Sequence, residues 1–323
     1  MTTLRRRAAL ALPGLLLTAR AARADWPDRP VRIIVPFVPG GSSDLIARLI
    51  GTALQPRLGQ PVIIDNRGGA NGAIGMAAAA HAAADGHTLA VGHIGTHAIT
   101  PAMMRDPGYD TLRDFETVAL TATSSSVLVV PQSSPARDLA GLLALARARP
   151  GQLSYGSPGI GSPSHVIVVL LSRMTGISAQ HVPYRGNGQA VTDLIRGTLD
   201  FMFAGPSEVA ALIASGQLRP LATTGARRSP GSPELPTVAE AGVPGFQFTV
   251  WHALSARTGT PPPVLARLRQ EVEGVLGSEA IQARLRDVGL EPGPAGAAAG
   301  DALLRADVAK WGALVRDAGI QAE

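Results

Sequence analysis

Three loops gather the residue types that hold small anions: glycines, hydroxyls and the openings of helices. The first is Pro36-Phe37-Val38-Pro39-Gly40-Gly41-Ser42-Ser43-Asp44, in which two glycines let the backbone approach a guest and two serines supply hydroxyls. The second is Gly68-Gly69-Ala70-Asn71-Gly72-Ala73-Ile74-Gly75, and the third Gly156-Ser157-Pro158-Gly159-Ile160-Gly161-Ser162-Pro163-Ser164-His165. Each follows a strand-like run and opens a helical one, so each offers free N–H groups and the positive end of a helix dipole. One such terminus contributes about 0.3–2 kcal/mol, whereas micromolar binding needs about 8 kcal/mol. Several loops must therefore converge on one guest. Taken singly, each loop also reads as turn and capping chemistry, with Ser43 or Asp44 as N-cap of the first helix.

More specific chemistries fail on detail. Pro39 to Asp44 lacks the Gly-Lys-Ser/Thr of a nucleotide loop, and Gly69-x-x-Gly72-x-x-Gly75 has the wrong spacing for a dinucleotide fingerprint. In Tyr155-Gly156-Ser157-Pro158-Gly159 a tyrosine stands where an esterase elbow needs its first glycine. His81, His87, His93 and His97 are close in sequence, but His93 and His97 flank a loop with no carboxylate at ligand spacing, which argues against a metal. A serine hydrolase using Ser42 or Ser162 lacks a recognisable base and orienting acid. The absence of cysteine excludes thiolate catalysis and Cys-based metal sites. No cofactor is expected.

The elements that must position these loops alternate along the chain. Val31–Val35, Pro61–Ile64 and Thr88–Val91 read as buried strands, with helical spacing at Leu45–Leu54 and Ala73–Ala84 between them. After Leu128-Val129-Val130 the rhythm restarts. Ser134-Pro135 reads as an N-cap and N1 pair opening a helix to Arg149, and Ser154-Tyr155, His181–Tyr184 and Phe201–Phe203 alternate with helices at 164–175, 188–197 and 206–215. Phe248–Trp251 is a last strand-like run before helices at about 263–288 and 300–318. The pattern is α/β with mostly parallel sheets. The helical tail has no sheet of its own to finish, so it should return to the first one. The chain then crosses twice, near 127–130 and 249–252, making a hinge with a ligand cleft between two lobes. Lobe 1 is predicted as 25–127 plus 252–323, and lobe 2 as 128–251.

Composition fits this plan. Of 323 residues, 46% are hydrophobic and 16% charged, the profile of a packed protein. The net charge of +5 is carried by Arg5, Arg6, Arg7, Arg20 and Arg23, all ahead of Asp25, which leaves the remainder neutral and without the basic stripe of a nucleic-acid binder. Those arginines flank a dozen apolar residues, Ala8 to Ala19, and Ala22-Arg23-Ala24 is a small-x-small cleavage site. Residues 1–24 therefore read as a signal peptide, too short to span a bilayer, exporting a soluble mature chain by the general or the twin-arginine route.

Ordered motifs over nearly the whole mature chain resemble the Bug family, extracytoplasmic receptors of tripartite tricarboxylate transporters. They are Val35-Pro36-Phe37-x-Pro39-Gly40-Gly41-Ser42-x-Asp44-x-x-Ala47-Arg48, Asn66-Arg67-x-Gly69-Ala70-x-Gly72-x-x-Gly75, Asp85-Gly86-x-Thr88-Leu89, Tyr155-Gly156-Ser157-x-Gly159-x-Gly161-Ser162-x-x-His165, His181-Val182-Pro183-Tyr184-Arg185-Gly186, and Leu235-Pro236-Thr237-Val238-Ala239-Glu240-Ala241-Gly242. The resemblance implies a type II periplasmic-binding-protein fold, a periplasmic location, and a receptor, not an enzyme, that delivers a small mono- or dicarboxylate to membrane transporter subunits. A ligand sensor feeding a signalling receptor is the alternative use of the same fold. The chain is read as a monomer without nucleic-acid partners. Carried onto this chain, ligand contacts fall on Phe37, Pro39, Gly40, Gly41, Ser42, Ser43 and Asp44; on Gly69, Ala70, Asn71 and Gly72; on His93, Ile94, Gly95 and Thr96; and on Ser157, Pro158, Gly159, Gly161 and Ser162. His165, Tyr184 and Arg185 complete the second-lobe wall, while Arg67 and Arg185 could equally serve structural ion pairs. Ala204 stands where many relatives have an aspartate, and the helix after His165 is rich in branched residues. With Phe37, these departures suggest a less polar guest, such as an aliphatic or aromatic carboxylate.

Overall fold

In the computed structural model, residues 26–294 and 296–322 are described; the expected signal peptide and its cleavage site after Ala24 lie outside them. Val31, Ile33 and Val35 are fully buried on one face and Ile34 is buried on the other against Ala73 and Met76, leaving Arg32 exposed, as expected of a strand packed on both faces. Burying each such side chain is worth about 1.5–3 kcal/mol. Strand β1 (Val31–Val35) leads to α1 (Ser42–Leu58), β2 (Val62–Asn66), α2 (Ala73–Ala80), β3 (Thr88–His93), the short helices α3 (Thr100–Met103) and α4 (Thr111–Asp114), and β4 (Phe115–Ser124). The second series is β5 (Val127–Pro131), α5 (Leu139–Ala148), β6 (Ser154–Ser157), α6 (Pro163–Thr175), β7 (Gln180–Pro183), α7 (Asn187–Ile195), β8 (Phe201–Ala204), α8 (Pro206–Ala214) and β9 (Leu218–Thr223). The chain ends with β10 (Val250–Arg257), α9 (Pro262–Leu276), α10 (Glu279–Asp287), β11 (Glu291–Pro292) and α11 (Ala297–Asp317).

The two sheets repeat one plan. The first has the order β11-β4-β10-β3-β1-β2 and the second β7-β6-β8-β5-β9. Each sets three parallel strands (β1, β2 and β3; β6, β7 and β8) beside one reversed strand, β10 or β5, which pairs with β3 and β4 or with β8 and β9. That reversed strand is the one entered straight after the chain changes sheets, at 124–127 and again ahead of Val250. The sheets are therefore mixed, and the type II periplasmic-binding-protein fold expected of the motifs is present. This topology aims the loops after β1, β2, β6 and β8 toward the place where the chain crosses.

The C-terminal helix α11 lies on β4 and α3. It is tied to β10 by the fully buried Trp251, whose Nε1 donates to Asp307 Oδ2 at 2.6 Å. Helix α5 begins at Leu139, not at Ser134-Pro135. Asp138 is its N-cap, accepting from Gly141 N at 2.7 Å, while Arg219 binds the carbonyls of Gln132, Ser134 and Ala136 and draws the preceding segment onto β9. No helix among the described residues is long and apolar enough to cross a membrane.

Candidate functional site

Gly41 precedes α1 in an extended conformation and no side chain caps the helix, so the first amides of α1 have no intrahelical acceptor. Helix α2 has no side-chain cap either, but it continues a tight turn whose Gly72 N and Ala73 N donate to Gly69 O and Ala70 O and in which Ala70 (φ 47°) and Asn71 (φ 52°) occupy the left-handed region. They are the non-glycine residues in that region among those described, and strain of this kind, about 1–3 kcal/mol each, persists where surrounding structure imposes it. Here Thr100 Oγ1 donates to Asn71 O, and Asn71 Nδ2 reaches across to Ile160 O of the third loop at 3.0 Å.

Between these loops lies a cleft of about 510 Å³. Phe37, Gly40, Gly41, Ser42, Ser43, Gly69, Asn71, Gly72, His93 and Gly95 line it from the first sheet, and Pro158, Gly161, Ser162 and Arg185 from the second. The remaining predicted contacts stand back from it. Asp44 is buried as an anchor: Gly40 N, Arg48 Nε and Asn66 Nδ2 all donate to it at 3.0 Å. Burial raises its carboxyl, but those hydrogen bonds outweigh burial and hold it below the usual carboxylate range. Thr96 is fully buried, its hydroxyl closing the turn on His93 N and O at 3.0 Å while Tyr109 donates to its carbonyl. Ile94 is core, and Pro39 and Ala70 are exposed loop positions off the cleft wall.

In the second sheet, Ser157 is held by His181 Nε2 at 2.6 Å, and His165, stacked on His181 at 4.1 Å, accepts from Gly161 N at 3.0 Å. Burial pushes both imidazoles down to about 4, so neutral rings support the loop from beneath. Tyr184 donates to Asp193, and Gly159 does not line the cleft. Ala204 is fully buried on β8 and does not line the cleft, so its replacing the aspartate of relatives does not make the cleft wall less polar. The branched residues of α6, Val166, Ile167, Val168 and Leu171, are core as well, which leaves Phe37 as the apolar cleft residue of that argument. Arg67 pairs with Asp65 at 2.9 Å on the outer side of the sheet, whereas Arg185 faces the cleft with no ion pair among the described residues.

Several lining residues were not anticipated: Ser124, Ser126, Asn187, Glu208 and His252 among them. Glu208 was findable, because Gly205-Pro206-x-Glu208 carries the acidic third position of a capping box. Its Oε2 accepts from Gly205 N at 2.8 Å and its Oε1 from Asn187 Nδ2 at 2.6 Å. Helix α6 is capped too, by Ser162. On the second-sheet wall the start of α7, after Gly186, is left without a side-chain cap beside Arg185, and Arg185 and Glu208 are the charged groups lining the cleft among the described residues.

Residues 46–320 match the family model described as tripartite tricarboxylate transporter family receptor. The chain belongs to that receptor family. The receptor is 34% identical over 304 residues to BugT of Bordetella pertussis, covering 94% of this chain and 93% of that one, so the resemblance to Bug proteins is borne out. Among solved structures, Rpa4515 of R. palustris with adipate matches with a TM-score of 0.84 at 37% identity, over 92% of this chain and 99% of that one. MatC of Rhodopseudomonas palustris with bound malate matches with a TM-score of 0.80 at 33% identity, over 90% and 100%. Members of the family are periplasmic receptors that work with tripartite transporters.

Gly72 shows how little room the receptor's cleft floor has. A Cβ there would sit 2.6 Å from Thr96 Cγ2 and 3.3 Å from Phe37 and Pro36, on a backbone at φ +87°. Gly72→Ala is expected to cost about 1–3 kcal/mol and to displace Phe37, read as a lower midpoint in urea unfolding together with weaker ligand binding. An unchanged midpoint would show that the floor is slack.

Proposed function

We propose that this receptor closes two lobes, 25–127 plus 252–323 and 128–251, over a small carboxylate, and passes it unchanged to the membrane subunits of a tripartite transporter. In this reading the mature chain begins after Ala24 in the periplasm. The observation that carries it is the convergence of the uncapped start of α1, the glycine turn before α2 and the hydroxyls of Ser42 and Ser43 on one cleft that the second sheet completes. Oriented N–H groups and hydroxyls are the chemistry a carboxylate needs. Homologues solved with adipate and with malate give the size and class.

A hydrolase would use Ser42, whose Oγ lies 3.0 Å from His252 Nε2. Against it, His252 Nδ1 has no orienting acid, and burial lowers the ring to about 4, a poor base at neutral pH. The test is a thermal-shift series with C4 to C6 mono- and dicarboxylates, run beside a turnover assay on their esters. A ligand at 100 times its Kd stabilises by about 2.7 kcal/mol, a rise of several degrees for a chain of this size. No shift with any carboxylate would refute the proposal, and ester turnover would restore the hydrolase.

A further inference from the structure

His252 sits near the start of β10, the strand held between β3 and β4, at a point where the register against β4 slips by one residue. Its ring is 1% exposed and packs edge-on against His93 at 5.7 Å, and His93 in turn stacks on Phe37 at 4.7 Å. One nitrogen, Nε2, lies 3.0 Å from Ser42 Oγ at the mouth of α1. The other, Nδ1, is buried with no partner. Ser43 Oγ, on the next residue of α1, is also buried and unpartnered, and both serines line the cleft.

A neutral imidazole carries one N–H, and its two possible positions have opposite consequences for Ser42. With the proton on Nδ1, a buried donor would have no acceptor, and Nε2 would take the Ser42 hydroxyl proton for itself. Ser42 would then offer the cleft only lone pairs, which repel an anion. With the proton on Nε2, the ring donates to Ser42 Oγ and the Ser42 O–H is free to point into the cleft. Orphaned buried N–H groups are rarer than under-satisfied acceptors, so the second arrangement is the stable one.

We infer that His252 is a positioning residue for ligand recognition: its Nε2–H fixes Ser42 Oγ as an acceptor on one side and so presents the Ser42 hydroxyl proton to the bound carboxylate. The inference deepens, and rests on, the reading of the cleft as a carboxylate site. Its consequence is selectivity, because the wall formed by Ser42, Ser43 and the first amides of α1 then donates to a guest and disfavours an ammonium group in the same place.

The test has two arms on the full mature chain. In the first, ring nitrogens of 15N-histidine-labelled protein are read without ligand at neutral pH, with His252 assigned by comparison with His252→Gln. A protonated Nε2 and a bare Nδ1 are expected; a protonated Nδ1 or a doubly protonated ring overturns the inference. In the second, Ser42→Ala, His252→Phe and the double variant are titrated with whichever of malate and adipate raises the melting temperature more. A hydrogen bond to a charged group being the loss, each single change should weaken binding by about 10-fold or more. The double variant should be no weaker than Ser42→Ala, since the two act through one hydroxyl. Multiplicative losses overturn the positioning role. His252→Gln, whose amide nitrogen can still donate to Ser42, should retain affinity within about 3-fold of the parent, well short of that hydrogen-bond loss; it keeps the test decisive if His252→Phe does not fold. A parent chain that binds neither acid defeats the carboxylate reading instead, and the ring-nitrogen signals still report the tautomer independently.

Discussion

Between pH 7 and pH 4 the unliganded receptor is expected to lose several kcal/mol of stability, a large share of the roughly 5–15 kcal/mol that holds a native domain together. Five histidines carry this, His97, His165 and His252 buried and His93 and His181 half-buried. Burial lowers His97, His165, His181 and His252 to about 4, and it drives His93 well below its ordinary value with help from His252 and His97. None of the five pairs with a carboxylate among the described residues; the ion-paired histidine is His87, with Asp28 and Asp85. In the unfolded chain each ring titrates near 6.5. Above that value both states are neutral and the full stability is present. Below it the unfolded chain takes up protons that the folded chain refuses, so stability falls as pH drops, by up to about 1.4 kcal/mol per unit for each ring. The loss ends near pH 4, where the folded rings also protonate. Lower still, Asp65 and Asp114, held down chiefly by hydrogen bonds from Arg67 and Arg113, add a further loss as they protonate. Urea unfolding at pH 7, 6, 5 and 4 measures the slope, and His181→Asn should flatten it by about one proton. A midpoint that stays constant from pH 7 to 4.5 would mean the rings are solvated.

That dependence was invisible in the sequence, where His165 and His181 stand 16 residues apart in two different motifs. Their stacking requires β6 and β7 to be neighbours, which is a tertiary fact. The local plan was legible. Apolar runs at Val31–Val35 and Thr88–Val91 became strands within a residue or two, and the glycine loops did converge. Strand β4 went unread because Phe115–Ser124 is threonine- and alanine-rich with no strong apolar run, and its pairing partner β10 lies 130 residues on. Ala204 was misplaced for a related reason. Strand β8 is buried on both faces, so a motif position at its end points into core, not into the cleft. Asp44 and Arg48 followed the motif yet serve the fold, because Asn66 and Gly40 complete a cage around the carboxylate. Motif membership selected loops that line the cleft; side-chain direction within each loop was set by packing that no local pattern encodes.

The charge balance of the cleft leads to the second large effect. Arg185 and Glu208 face the same space with opposite signs, so a carboxylate entering it meets almost no net side-chain charge and is held by fixed dipoles. Shifting that balance should change dicarboxylate affinity in opposite directions. Two unit charges 4 Å apart interact by about 1 kcal/mol in water and about 4 kcal/mol at the effective dielectric of a protein surface. Arg185→Glu moves the cleft by two charges and is expected to weaken dicarboxylate binding by roughly 30- to 100-fold, or about 2–3 kcal/mol. Glu208→Gln removes one negative charge and should tighten it by about 5- to 10-fold. Its hydrogen bonds can be kept: the introduced carbonyl oxygen accepts from Gly205 N, and a turned Asn187 amide offers its now unpartnered Oδ1 to the introduced NH₂. A monocarboxylate of equal length should respond less to both changes, because its far end carries no charge to be attracted or repelled. Calorimetric titration at two salt concentrations separates the cases. Both effects should shrink at high salt if they are coulombic, and equal responses from mono- and dicarboxylates would mean that neither side chain reaches the distal end of the ligand.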